Sequence, residues 1–104
     1  MPVYFVYITA RDEAEALVIG RTLVESRLAA CVNILPQMKS IYWWEGEIEQ
    51  SSEVVLIAKT KQDLVSELID RVKQLHSYAC PCVVSWPIQS GHQAYLDWIE
   101  KETR

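Results

Sequence analysis

Apolar and polar positions follow two periods along the chain. Residues 3–8, Val-Tyr-Phe-Val-Tyr-Ile, form an unbroken apolar run rich in β-branched and aromatic types, which predicts a strand buried on both faces. Asp12 then reads as an N-cap, with Glu15 as its capping-box partner. The helix that follows is predicted over 13–28, with Leu17, Val24 and Leu28 on one face and Ala16 and Leu23 beside them. Gly20 inside it costs about 1 kcal/mol against Ala and lets the helix lie close to a sheet. Residues 30–35 predict a second strand, interrupted by Pro36 and resumed over 39–44. Proline inside such a pattern marks a bulge or an edge. Glu45-Gly46 reads as a tight turn, and residues 47–59 as the return arm of a long hairpin. In that arm Val54, Leu56 and Ala58 share one face, and Val55 and Ile57 the other. Val65, Leu68, Ile69, Val72 and His76 recur at helical spacing and predict a helix over about 62–76. A fourth strand follows at 82–88, ended by Pro87. Ser90 or Gly91 opens a last helix with Tyr95, Trp98 and Ile99 on one stripe.

The order β-α-β-β-α-β-α predicts an α+β fold, a ferredoxin-like split βαβ sandwich. Four antiparallel strands carry two helices on one face, with an additional C-terminal helix. Right-handed crossovers place strands 1 and 3 at the centre. One domain is expected over residues 1–104. The hairpin is too long for two helices to cover, and successive side chains at its tip, Tyr42, Trp43 and Trp44, point to opposite faces. At least one of these rings needs cover from another copy, so an oligomer is expected.

Charge narrows the partners. Ten basic residues stand against 14 acidic ones, for a net −4, and there is no basic run to neutralise phosphates. Nucleic acid is not an expected partner. The N-terminal apolar run ends after about six residues, too short for a span or a signal segment, so no membrane association is expected. Cys31, Cys80 and Cys82 make an odd number, and a bridge between Cys80 and Cys82 would be strained. A reducing compartment, the cytoplasm, is the expected location.

Candidate chemistry concentrates at His76-Ser77-Tyr78-Ala79-Cys80-Pro81-Cys82, where one imidazole and two thiols fall within seven residues. These soft donors suit copper(I) or zinc. The other reading makes Cys80 and Cys82 small packed residues and His76 a cap at a helix C-terminus, where the dipole favours its charged form. Glu45, Glu47, Glu49 and Glu53 share a strand face, as oxygen ligands for a hard cation or as a solvated face. Lys59 of Lys59-Thr60-Lys61 reads as an anchor for an anionic ligand or a partner carboxylate, or as an ordinary strand-end charge. Cys31 sits in an apolar strand with no adjacent base in sequence, which reads as core packing. No nucleophile elbow, phosphate loop or dinucleotide fingerprint is present, so no enzyme activity is expected.

Several motifs in order resemble one family over residues 3–100. Leu28-Ala29-Ala30-Cys31-Val32-Asn33-Ile34 is similar to the LAACVNI segment of the CutA divalent-cation tolerance family. Ser40 to Gly46 resembles its S-x-Y-x-W-x-G hairpin tip, and Lys59-Thr60 its K-T pair. Pro87-Ile88, Gly91 and Tyr95-Leu96-Asp97-Trp98 resemble its closing P-I-x-x-G-x-x-x-Y-L-x-W. The resemblance implies a homotrimer similar in architecture to PII-type signalling proteins, with interlocked hairpins covering the tip tryptophans. It also implies binding of copper or another divalent metal ion. One segment departs from the family's H-P-Y-E-x-P-E: Ser77, Ala79 and Cys82 stand in place of Pro, Glu and Glu. The expected site is then an inter-subunit cleft with His76, Cys82 and Cys80 as soft metal ligands. Tyr78 orients them, and Lys59, Trp44 and Tyr42 line the cleft. The alternative is a PII-like regulatory module that binds a small anionic ligand at Lys59 or a protein partner through the hairpin.

Overall fold

The computed structural model describes residues 2–104. The N-terminal apolar run becomes β1 (Val3–Ala10), followed by α1 (Glu13–Glu25), β2 (Cys31–Trp44), β3 (Glu47–Lys61), α2 (Val65–Leu75), β4 (Val83–Pro87) and α3 (Gln93–Glu102). The strands form one antiparallel sheet in the order β2-β3-β1-β4. Strands β1 and β3 are therefore central, as the crossover rule predicts. This is the expected ferredoxin-like split βαβ arrangement.

Alternation in β3 decides what each face does. Val54, Leu56 and Ala58 pair with Ala10, Ile8 and Val6 of β1, and all six are buried under the helices. On the opposite face Val55, Ile57 and Lys59 meet Thr9, Tyr7 and Phe5. Val84 and Trp86 of β4 continue that face opposite Tyr7 and Phe5, and Trp86 stacks on Phe5 at 4.9 Å. Leu35, Val84 and Trp86 are each close to half exposed, so much of this open face is apolar and uncovered within one chain.

Helix α1 departs from its predicted stripe. Its buried residues are Ala16, Ile19, Gly20 and Leu23, whereas Leu17 and Val24 are exposed. Gly20 sets this rotation: a Cβ there would stand 3.2 Å from Val32 Cγ1 of β2. The helix also stops at Glu25, short of residue 28. Arg27 turns left-handed at φ 64°, and the Leu28 and Ala29 amides both close onto the Leu23 carbonyl. Leu28 is buried all the same. The predicted helix over 62–76 begins instead as a 3-10 turn, Gln62–Leu64, before α2. In α3 only Ile99 of the predicted stripe is buried, with Tyr95 and Trp98 both well exposed.

Pro36 marks both of the features its position predicts. Strand β2 is the edge of the sheet, and its register with β3 shifts between Leu35 and Met38. Beyond that bulge the hairpin runs on to Trp44 opposite Glu47. Glu45 (φ 51°) and Gly46 (φ 83°) close it, two left-handed residues whose twist matches the strands.

Candidate functional site

The segment after α2 is pinned to the end of β1 by its histidine. The His76 side chain is fully buried. Its Nε2 lies 2.7 Å from the Thr9 carbonyl and its Nδ1 3.1 Å from the Tyr78 amide. A carbonyl can only accept and an amide can only donate, so Nε2 carries the proton and Nδ1 is the acceptor. This is the neutral ring, not the charged cap that a helix C-terminus predicts. Neither nitrogen has a lone pair to spare, so His76 is a structural strap in this geometry and does not present itself as a metal ligand.

Glu15 fastens the same segment from α1. Its backbone amide caps onto Asp12 Oδ1 at 2.8 Å, as the capping box predicts. Its carboxylate, however, reaches past Asp12 to the Arg11 amide and across to the Ser77 amide, both at 2.9 Å. Burial pushes the Glu15 carboxyl up, but the hydrogen bonds it accepts from Ser77 and Arg11 outweigh it, and the net direction is down. A depressed folded-state carboxyl stabilises above its unfolded value and loses that contribution as pH falls through the folded one. Glu15→Gln is expected to cost about 2 kcal/mol at pH 7 and to flatten the acid limb of stability against pH below roughly pH 4.5. Urea titrations from pH 7 to pH 3 check this, and an unchanged acid limb would remove Glu15 from the linkage.

This pinning builds a cavity of about 370 Å³, lined by Thr9, Tyr42, Trp44, Glu53, Tyr78, Ala79, Cys80 and Cys82. Tyr78 donates to Glu53 Oε2 at 2.8 Å. Burial, followed by that bond and the Glu53 charge, holds the phenol protonated far above its ordinary range. Cys82 is also pushed up, first by burial and then by the Glu53 charge, against a Thr9 hydrogen bond that acts the other way. Glu53 is 8% exposed. The predicted solvated strand face therefore fails at this residue, because the 76–82 segment folds over it.

The predicted site residues divide into two places. Tyr42, Trp44, Tyr78, Cys80 and Cys82 share the cavity, while His76 lies behind its wall. Lys59 is elsewhere: Trp44 sits opposite Glu47 and Cys31 opposite Lys59, so the two ends of β3 are about 40 Å apart at roughly 3.3 Å per residue. Within one chain Lys59 and Trp44 are not neighbours. Lys59 Nζ donates to Asn33 Oδ1 at 2.8 Å and to the Tyr95 hydroxyl at 3.3 Å. Cys31 Sγ lies 3.5 Å from the same hydroxyl and is only half-buried, which corrects its reading as core packing. Among the described residues no group of three or more His, Cys, Asp or Glu could hold a metal ion, and all three thiols are free.

The model of the CutA1 divalent ion tolerance protein family matches residues 4–102. The chain belongs to that family. A relative in Archaeoglobus fulgidus, a divalent-cation tolerance protein CutA, is 47% identical over 97 residues, 93% of this chain and 94% of its own length. Its solved structure, described as periplasmic, has a TM-score of 0.93 at 46% identity and covers 96% and 97% of the two chains. The Thermus thermophilus divalent cation tolerance protein superposes with a TM-score of 0.95 at 44% identity, over 98% and 99% of the chains. CutA1 from Oryza sativa gives 0.97 at 38% identity, over 100% and 95%. The CutA1 fold thus accounts for the sheet order and the long hairpin. Glu53, a cavity residue that a motif reading of a CutA1 chain passes over, was traceable only by strand parity, which places it on the face of Val55 and Ile57. No helix among the described residues is long and apolar enough to cross a membrane.

Proposed function

We propose that the protein is a cytoplasmic, non-enzymatic homotrimer that binds copper, or another soft metal ion, through Cys80 and Cys82 in an inter-subunit cleft. The observation that carries this reading is that both thiols line one cavity beside a buried carboxylate. Thiolates select copper(I) among the available ions, and a neighbouring subunit supplies whatever further ligand the ion takes. The apolar open face of the sheet and the exposed Ile41, Trp43 and Ile48 of the hairpin supply surfaces for the trimer to bury. Names of relatives that record divalent-cation tolerance agree with metal handling.

Native mass spectrometry of the reduced protein tests both parts. The expected spectrum is a trimer with three copper ions after exposure to copper(I), and none in the Cys80→Ser/Cys82→Ser protein. Because Cys82 must give up a proton whose loss burial opposes, copper affinity is expected to rise steeply from pH 6 to pH 8. Copper retained in full by the double variant would move the site elsewhere. In that case Lys59 becomes the leading ligand anchor, since its ammonium rests on the neutral groups of Asn33 and Tyr95 and has no carboxylate among the described residues within ion-pair distance.

A further inference from the structure

Charge is laid out unevenly along the open face of the sheet. Strand parity puts Glu47, Glu49, Glu53, Val55, Ile57 and Lys59 of β3 on that face. The carboxylates all lie toward the hairpin tip, and Lys59 lies at the far end. Between them Val55 and Ile57, flanked by Leu35 and Tyr7, carry no charge. Glu53 is committed to the Tyr78 hydroxyl. Glu47 and Glu49 are exposed and form no ion pair among the described residues.

Lys59 is the opposite case. It is half-buried, and its Nζ donates to Asn33 Oδ1 at 2.8 Å and to the Tyr95 hydroxyl at 3.3 Å. An ammonium has three N–H donors, so one is left over, and both partners are neutral. Covering this end of the face without an anion would bury an uncompensated charge. The tip carboxylates of the same chain are about 40 Å away along β3, nearly the full 44 Å length of the molecule, so they cannot serve. Those of another copy can.

Opposite charges at the two ends of one apolar face favour a head-to-tail contact, in which each copy offers one end and receives the other. Such a contact is heterologous and closes into a ring when the rotation allows. Copies laid in the same direction would instead set Glu47 and Glu49 against themselves and Lys59 against Lys59, and like charges facing each other weaken an interface. We propose that Lys59 of one copy receives the carboxylates of Glu47 and Glu49 from the hairpin of the next, so that the cluster of Lys59, Asn33 and Tyr95 is a docking socket completed by a second copy. This rests on the homotrimer proposed above and adds which end of the face meets which.

Subunit exchange between isotope-labelled and unlabelled protein, followed by native mass spectrometry, tests it, because interface changes act mainly on dissociation. Lys59→Glu and Glu47→Lys/Glu49→Lys are each expected to speed exchange about tenfold or more, or to leave monomers. The protein carrying all three changes restores opposite charges at every contact and is expected to exchange within about threefold of the parent. Lys59→Met and Glu47→Gln/Glu49→Gln, expected to speed exchange a few-fold each, keep the test open should a reversal not fold by circular dichroism. Exchange at the parent rate in both single reversals, or a combined protein no slower than the faster of them, would overturn the pairing. So would thermal stabilisation by inorganic phosphate that Lys59→Met abolishes and Glu47→Gln/Glu49→Gln leaves intact, since the counterion of Lys59 would then be a ligand. A monomeric parent would overturn the homotrimer along with the pairing, whereas a trimer without this coupling overturns the pairing alone.

Discussion

His76→Ala is expected to cost about 3–4 kcal/mol of stability, more than any other single change in the 76–82 segment. Three losses add. The Thr9 carbonyl and the Tyr78 amide lose their partners, and each buried polar group left unsatisfied costs about 1 kcal/mol or more. Removing a fully buried ring also leaves a void against Tyr78. His76→Phe separates these terms, because it keeps a ring of similar size and loses only the hydrogen bonds; about 2 kcal/mol is expected for it. Urea unfolding at one fixed protein concentration, needed because assembly contributes to apparent stability, checks both values. Copper stoichiometry of the folded His76→Phe protein is expected to match the parent. A cost below about 1 kcal/mol for His76→Ala, or a loss of copper in His76→Phe, would return His76 from strap to ligand.

The histidine also shows where reading the sequence stops. Residue type and spacing placed an imidazole beside two thiols, and that is a sound pointer to soft-metal chemistry. Spacing does not say which way a ring faces, and here the turn after α2 drives it inward onto Thr9. Glu53 is the reverse case: strand parity put it on one face with Glu47 and Glu49, but a segment 25 residues away in sequence decides that it alone is covered. The sheet was far more legible. Alternation in β3, the proline in β2 and the crossover rule are local or topological signals, and all three hold in the strand order and register. The missed stripe on α1 has a local cause as well. Ile19 and Gly20 face the sheet because a glycine is the residue that permits close approach to Val32, and a pattern built on leucines and valines looks past it.

Val84→Glu is expected to turn the proposed trimer into monomers while leaving the monomer's fold intact. Val84 lies on edge strand β4, opposite Tyr7, on the open face of the sheet. It is 50% exposed in the single chain, so a carboxylate there keeps much of its water and costs the monomer under about 1 kcal/mol. An interface that covers this face changes the balance. Each subunit would then bury one unpaired charge, at several kcal/mol per site, and threefold symmetry repeats the penalty at every copy. That exceeds what a trimer can lose at micromolar concentration, where 1.4 kcal/mol is already tenfold in affinity. Native mass spectrometry is expected to show the 12.0 kDa chain as a trimer for the parent and as a monomer for the variant, with the far-ultraviolet dichroism of the two alike. Arg21→Glu, on the outer surface of α1, where Arg21 Nε pairs with Glu25 Oε2 at 3.2 Å, is the control expected to remain trimeric. A Val84→Glu protein that stays trimeric would mean that the open face is not the assembly surface, and the hairpin tip, with Ile41, Trp43 and Ile48 exposed on the helix side, would have to carry the contact alone.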